Sequence, residues 1–527
     1  MLTVLLLTPL IGVVGIILGC STERQSRQVA LLASLANFAL SLVLWGEYDG
    51  NCGHFQFVQD WSSVTFCHFI IGLDGISLFF VLLTTFIIPT CILGTPTLTS
   101  VSSSTANISA VKSFLITLLV IETLLIALFV VLDLLLFYIC FESVLIPLFL
   151  LIGIWSHSQH KVRASFMLFL YTLFGSLFML LSFIGIYMSI GSTDYQLIAT
   201  SYIQPEVQNI MWLGIFLALA IKTPLVPFHI WLPLAHTEAP LAGSMLLAGV
   251  ILKMATYGYL RILLPLFPEA SSYFTPLVYT LCTISIIYTS LSTLRQVNLK
   301  SIIAYASISH MAIATMGVFS NTVQGIEGSI LLSVAHGLAS PALFISVGVL
   351  YDRWHTLILP YYRGLTSTMP LFSLLFFVFC LANMAVPLTA NFIGEFLSFA
   401  GAYQRNPFIT ILASSSVVLT AAYTIWTYNR VCLGSPSRYL NPRLDISRRE
   451  FYLLFPFLLL IFVLGIAPLV VLDSLHFSVS SLIYSKISPS LPWPLTRRPR
   501  PRSTSGWRGS AGWRRQFGVK GFLTSVC

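Results

Sequence analysis

The sequence predicts an all-α membrane protein of about fourteen transmembrane helices, carrying two inverted five-helix repeats (helices 4–8 and 9–13) and broken helices 7 and 12. Three observations lead there. First, 57% of the 527 residues are hydrophobic and only 9% are charged, with a mean hydropathy of +0.89. A soluble domain carries about 25% charged residues, so a water-soluble enzyme is excluded. Second, apolar windows long enough to cross a bilayer recur along residues 1–471. Third, windows 7 and 12 share a pattern in which proline makes a broken helix expected: Lys222-Thr223-Pro224 after Leu219-Ala220, and Pro387-Leu388 after Leu381-Ala382.

In chain order the windows lie near 1–20, 29–45, 76–94, 113–131, 134–155, 164–190, 210–228, 241–260, 274–291, 302–319, 326–350, 369–400, 409–433 and 451–471. The first resembles a secretory signal, but it lacks the basic start that such signals need. The run 113–155 is too long for one crossing, and Asp133 near its middle marks the expected turn. The two breaks define the proposed organisation: 1–112 for helices 1–3, 113–263 and 274–433 for the two repeats, 451–484 for the last helix and the end of the membrane domain. An odd number of helices per repeat makes the two copies inverted.

Loop charges alternate along this series. Basic clusters follow helices 1, 5, 9, 11 and 13, among them Arg24/Arg27, Lys161/Arg163 and Arg295/Lys300, whereas Glu47, Asp49 and Asp60 follow helix 2. The positive-inside rule then puts the odd-numbered loops inside and both termini outside. The net charge of +9 belongs to the tail: residues 485–527 hold nine Lys or Arg and no acid, so residues 1–484 sum to 9 − 9 = 0. That tail, rich in Pro, Arg, Ser and Gly, reads as disordered. The basic balance therefore points to no nucleic-acid partner. The nine cysteines contain no CxxC pair, and no GxGxxG, P-loop or HExxH occurs.

The informative residues are ionisable groups within the spans, each costing roughly 2.5–3.5 kcal/mol at a helix centre unless a partner or cavity receives it. They are Glu122 (helix 4), Glu142 (helix 5), Lys222 (helix 7), Lys253 (helix 8), His310 (helix 10), His336 (helix 11) and Glu395 (helix 12). Lys253 is too central to snorkel. His310 reads equally as a satisfied buried histidine, and Glu122 equally as a structural partner of a lysine. Glu142 and Lys222 are the strongest pair, since a neutral core favours opposite charges in contact. Burial disfavours the charged form of lysine and glutamate alike, whereas an opposite charge restores it, by about 4 kcal/mol at 4 Å and an effective dielectric near 20. Carboxylates, lysines and histidines distributed over separate helices suit a proton relay, which is transport chemistry with no need of a nucleophile or metal.

Four segments carry a resemblance: Gly72-Leu-Asp-Gly-Ile-Ser77, Phe141-Glu-Ser-Val-Leu-Ile-Pro147, Lys222-Thr-Pro-Leu-Val-Pro-Phe-His-Ile-Trp-Leu-Pro-Leu-Ala-His-Thr-Glu-Ala-Pro240 and Ile302-Ile-Ala-Tyr-Ala-Ser-Ile-Ser-His-Met311. Over about residues 1–484 the chain resembles the antiporter-like subunits of respiratory complex I. The resemblance implies a proton channel in the membrane arm, with the essential helix-5 glutamate at Glu142, the helix-7 and helix-8 lysines at Lys222 and Lys253, and the helix-12 acid at Glu395. Glu122, His310 and His336 match the family's further polar positions. It also implies a mitochondrial inner-membrane location, with both termini on the intermembrane-space side. Neighbouring antiporter-like chains, other membrane-arm subunits and lipid would be the partners. NADH, FMN, iron–sulfur clusters and ubiquinone would reside in partner subunits, with no cofactor in this chain. The competing reading is a subunit of a multi-subunit sodium/proton antiporter; a quinone-binding redox enzyme is a third class, for which the chain offers no redox carrier.

Overall fold

The computed structural model describes residues 1–61, 69–95, 104–156, 158–441 and 443–484, without side-chain detail at 104–107 and 484. The basic tail 485–527 lies outside the described residues. In chain order the main helices are α1 (Leu2–Gly19), α2 (Glu23–Glu47), α3 (Gly75–Gly94), α4 (Ser104–Val130), α5 (Leu134–Trp155) and α6 (Lys161–Ile190). α7 comes in two pieces, Pro205–Lys222 and Trp231–Glu238, followed by α8 (Leu241–Leu266), α9 (Pro268–Thr293), α10 (Leu299–Val318) and α11 (Val323–Trp354). α12 is again split, Pro370–Asn383 and Ala390–Arg405, before α13 (Pro407–Cys432), α14 (Arg448–Ile466) and α15 (Leu469–Tyr484). Among the described residues twelve helices are long and apolar enough to cross a membrane. The split α7 and α12 are not among these twelve.

Local chemistry explains the boundaries. Asp133 does mark the turn between α4 and α5: its Oδ1 accepts from the N–H groups of Leu135 (2.8 Å) and Leu136 (3.1 Å), and its Oδ2 from the Thr193 hydroxyl (2.6 Å). A buried carboxylate thereby caps a helix whose first donors would otherwise be orphaned. At the α7 break, the Ile221 carbonyl accepts from the Trp231 indole N–H at 2.9 Å, and the Val226 N–H finds Ser285 Oγ at 2.9 Å. The Ala220 carbonyl, which Pro224 cannot serve, accepts from the Leu225 N–H at 3.0 Å, so backbone and side chains together satisfy the groups that the break frees. At the α12 break, Ala385 and Leu388 adopt left-handed φ values of 56° and 77°.

α11 and the second piece of α12 pack backbone to backbone. A Cβ at Gly328 would meet the Ser398 amide nitrogen at 2.6 Å, and one at Gly394 would meet Leu332 Cα at 2.7 Å. Small residues let two membrane helices approach this closely. That contact draws His336 of α11 and Glu395 of α12 into one core.

Two elements correct the all-helical reading. A two-stranded antiparallel hairpin, β1 (Gln56–Trp61) and β2 (Phe69–Leu73), precedes α3. The region expected as one last helix is two, because Pro468 cannot continue α14. The returning α15 buries Val471, Leu475 and Val479, and its Ser478 hydroxyl accepts from the Gly75 N–H at 3.1 Å. α15 is apolar but, at sixteen residues, shorter than the helices counted as spans.

Candidate functional site

The most connected polar group lies at the junction of α8, α10, α11 and α12. Lys253 is fully buried. It sits between two π-helical turns of α8, Leu247–Ile251 and Tyr259–Leu263, of a kind that often marks functional positions. Its ammonium donates to the Ala248 carbonyl, within the first of those turns, and lies 2.9 Å from His336 Nδ1. The His336 ring is 5.7 Å, centroid to centroid, from the His310 ring. His310 Nδ1 in turn lies 2.7 Å from Glu395 Oε1. Lys253, His336 and His310 are wholly enclosed, and Glu395 nearly so.

The tautomers follow from the partners. An ammonium donating to His336 Nδ1 requires the ring proton on Nε2; a carboxylate accepting from His310 Nδ1 requires the proton there. Both Nε2 atoms lack a protein partner. One imidazole therefore offers an Nε2–H and the other an Nε2 lone pair, on rings whose centroids are 5.7 Å apart. Imidazole alone among side chains accepts on one nitrogen while donating from another.

Glu142 and Lys222 come near each other without closing the expected contact. Lys222, the last residue of the first piece of α7, is buried, yet its Nζ has no hydrogen-bond partner, and Glu142 Oε1 is likewise unpartnered. The ammonium lies 4.6 Å from the centroid of the Phe141 ring, a cation–π contact. Ser176 stands beside the carboxylate. Both charges remain within electrostatic reach. The Phe141 ring face, beside Glu142 in the chain, is thus the group in direct contact with the cation, and the carboxylate acts on it at longer range.

Glu122 lies apart from this pair. Its Oε1 accepts from Asn37 Nδ2 at 2.7 Å, and the Asn37 carbonyl oxygen accepts from the Thr8 hydroxyl at 2.8 Å. The bonded partner is thus an amide on α2 and not a lysine.

Two residues were passed over. His236 is fully buried in the second piece of α7, stacked on Phe344 at 4.8 Å and 9°, with neither ring nitrogen hydrogen-bonded. Its electrostatic neighbours are Lys300 and Lys253. Lys300, counted above as a loop charge, is instead buried in the first turn of α10, donating to the Ala239 carbonyl at 2.7 Å. Next to it, Glu238 receives the Ser158 hydroxyl. His236 stood within the quoted 222–240 segment, and its position in an apolar helix was the available clue. Among the described residues no cluster of three His, Cys, Asp or Glu is arranged to hold a metal ion.

Comparison with known proteins agrees with this architecture. Residues 131–420 match the family model described as NADH:quinone oxidoreductase/Mrp antiporter, TM. NADH-ubiquinone oxidoreductase chain 4 of Mycosarcoma maydis is 58% identical over 491 residues, covering 92% of this chain and all of that one. The Arabidopsis thaliana protein of the same name is 49% identical over 483 residues, covering 91% and 96%. A chain of respiratory complex I from Thermus thermophilus superposes with a TM-score of 0.81 at 29% identity, over 92% of this chain and all of that one. A chain of the Mrp complex from a Dietzia species superposes at 0.80 with 19% identity, over 92% and 97%, a likeness of fold alone. The chain belongs to the NADH:quinone oxidoreductase/Mrp antiporter membrane family, among the NADH-ubiquinone oxidoreductase chain 4 proteins.

Proposed function

We propose that this chain is the proton-translocating membrane-arm subunit of NADH:ubiquinone oxidoreductase, moving protons through the buried series Lys253, His336, His310 and Glu395. The observation that carries the reading is that series itself: four ionisable groups on four helices, enclosed from solvent and bonded pairwise at 2.9 and 2.7 Å. A proton on Lys253 passes to His336 Nδ1, the Nε2 proton crosses to His310, and the Nδ1 proton of His310 goes to Glu395. His236 and Lys300 lie on the side where Glu238 and the start of α10 meet, and supply Lys253 from that face. Glu142 holds the charge of Lys222, so that making or losing their interaction switches Lys222 between keeping and releasing a proton. Glu122, tied to Asn37, tunes the first repeat without itself relaying.

The finer architecture belongs to the same proposal. It comprises fourteen spans when α7 and α12 are counted, inverted repeats over 113–263 and 274–433, a mitochondrial inner-membrane setting, and both termini on the intermembrane-space side. The neighbours are other antiporter-like chains and membrane-arm subunits, with NADH, FMN, iron–sulfur clusters and ubiquinone bound elsewhere in the assembly. Purification through this chain should recover flavin and iron–sulfur subunits, and the reconstituted assembly should move protons on NADH oxidation. Recovery with sodium/proton exchange and no NADH oxidation would establish the antiporter reading instead. For sidedness, cysteines placed at the exposed Val297 and Asp60 should be labelled from opposite faces of sealed membranes. Labelling of both from one face overturns the topology.

A further inference from the structure

The Gly72–Ser77 segment has no part in the relay, yet its aspartate is among the most elaborately held groups in the protein. Asp74 caps α3 by accepting from the Ser77 N–H at 3.0 Å, and the same oxygen takes Arg261 Nη2 at 2.6 Å. Arg261 is buried on α8, eight residues past Lys253, with Tyr257 halfway between them. Its Nε donates to the Tyr257 hydroxyl at 3.0 Å, and that hydroxyl donates to the Phe129 carbonyl at 2.9 Å. The guanidinium carbon lies 4.8 Å from the Phe55 ring centroid and 5.6 Å from that of Tyr195. On the Lys253 side, Phe80 and Phe129 close on the Tyr257 ring at 6.0 and 5.2 Å.

We infer that Arg261, held by Asp74 within this aromatic collar, is a proton-tight closure of the hairpin end of the first repeat. The inference rests on the proton-translocating reading above. Its warrant is the polarity of the hydrogen bonds. A proton wire needs each member to accept on one side and donate on the other. The Tyr257 hydroxyl accepts from a guanidinium that never deprotonates and donates to a main-chain carbonyl, so the wire ends there. The Phe55 and Tyr195 rings flank the guanidinium, and Phe80 and Phe129 flank the Tyr257 ring, so apolar faces surround the point where the wire ends. A proton on Lys253 thus finds no path outward along α8, and His336 is the bonded acceptor that remains.

The test uses the whole purified complex in liposomes, with passive proton conductance measured under a potassium diffusion potential while turnover is inhibited. The double variant Asp74→Asn/Arg261→Gln removes both charges together and leaves neither unpaired. It is expected to raise conductance about tenfold and to lower protons moved per NADH, with NADH:quinone turnover retained. Arg261→Lys keeps the ion pair and the fold but introduces a group that exchanges its proton; about threefold higher conductance is expected. Tyr257→Phe, which removes only the dead-end hydroxyl, should remain tight. Wild-type conductance in either assembled charge variant overturns the closure. Failure of the functional reading registers separately, as wild-type complex that oxidises NADH without moving protons.

Discussion

Glu142→Gln and Lys222→Met are each expected to yield assembled complexes that have lost most of their proton pumping and coupled quinone reduction, by about tenfold, as removal of a charge from a transfer step does. The ammonium of Lys222 has no hydrogen bond, and what supports its charge is the Phe141 ring at 4.6 Å together with the nearby carboxylate. Glutamine preserves the shape of Glu142 and deletes that carboxylate, leaving a buried cation supported by the ring alone. Methionine preserves the volume of Lys222 and deletes the cation. Glu142→Asp retains the charge and is expected to keep much of the activity. The measurement is proton uptake per NADH in liposomes, alongside native-gel quantification of assembly. Loss of assembly in the Gln or Met variants would identify a structural ion pair, and full pumping in an assembled Glu142→Gln complex would refute the switch.

Lys253→Met and Glu395→Gln are expected to reduce pumping by a similar factor, and the double variant by no more than either alone. Groups acting in series behave this way, because once one transfer is blocked the next has nothing to receive. Glu395→Gln still accepts from His310 Nδ1 through its amide oxygen, so the His310 ring stays oriented and only the terminal proton acceptor is lost. Multiplicative losses in the double variant would mean two independent routes and would break the chain drawn through His336 and His310.

The sequence by itself determined the class of protein, the proline breaks of α7 and α12 and the turn at Asp133, and it singled out seven ionisable residues within the spans. Each of these is a local property. Apolar length reflects a bilayer that hides no polar backbone, a proline lacks its N–H wherever it occurs, and an ionisable residue inside a span demands a reason whatever surrounds it. Only the tertiary structure decided who meets whom. His310 could be read from the sequence as a satisfied core histidine; its bond to Glu395, 85 positions away, depends on α10 and α12 approaching, as they do where a Cβ at Gly317 would meet Ser398 Cβ at 3.0 Å. The same long-range packing seats Lys222 on a ring and not on Glu142, gives Glu122 an asparagine from α2, and folds α15 back over α3. Lys300 looked like a loop charge because helix ends are poorly marked in sequence, and His236 passed unnoticed because its isolation is visible only once every neighbour is in place. Hydropathy, being a sum along the chain, finds helices; the pairing of polar atoms across them is set by three-dimensional complementarity that no window of the sequence contains.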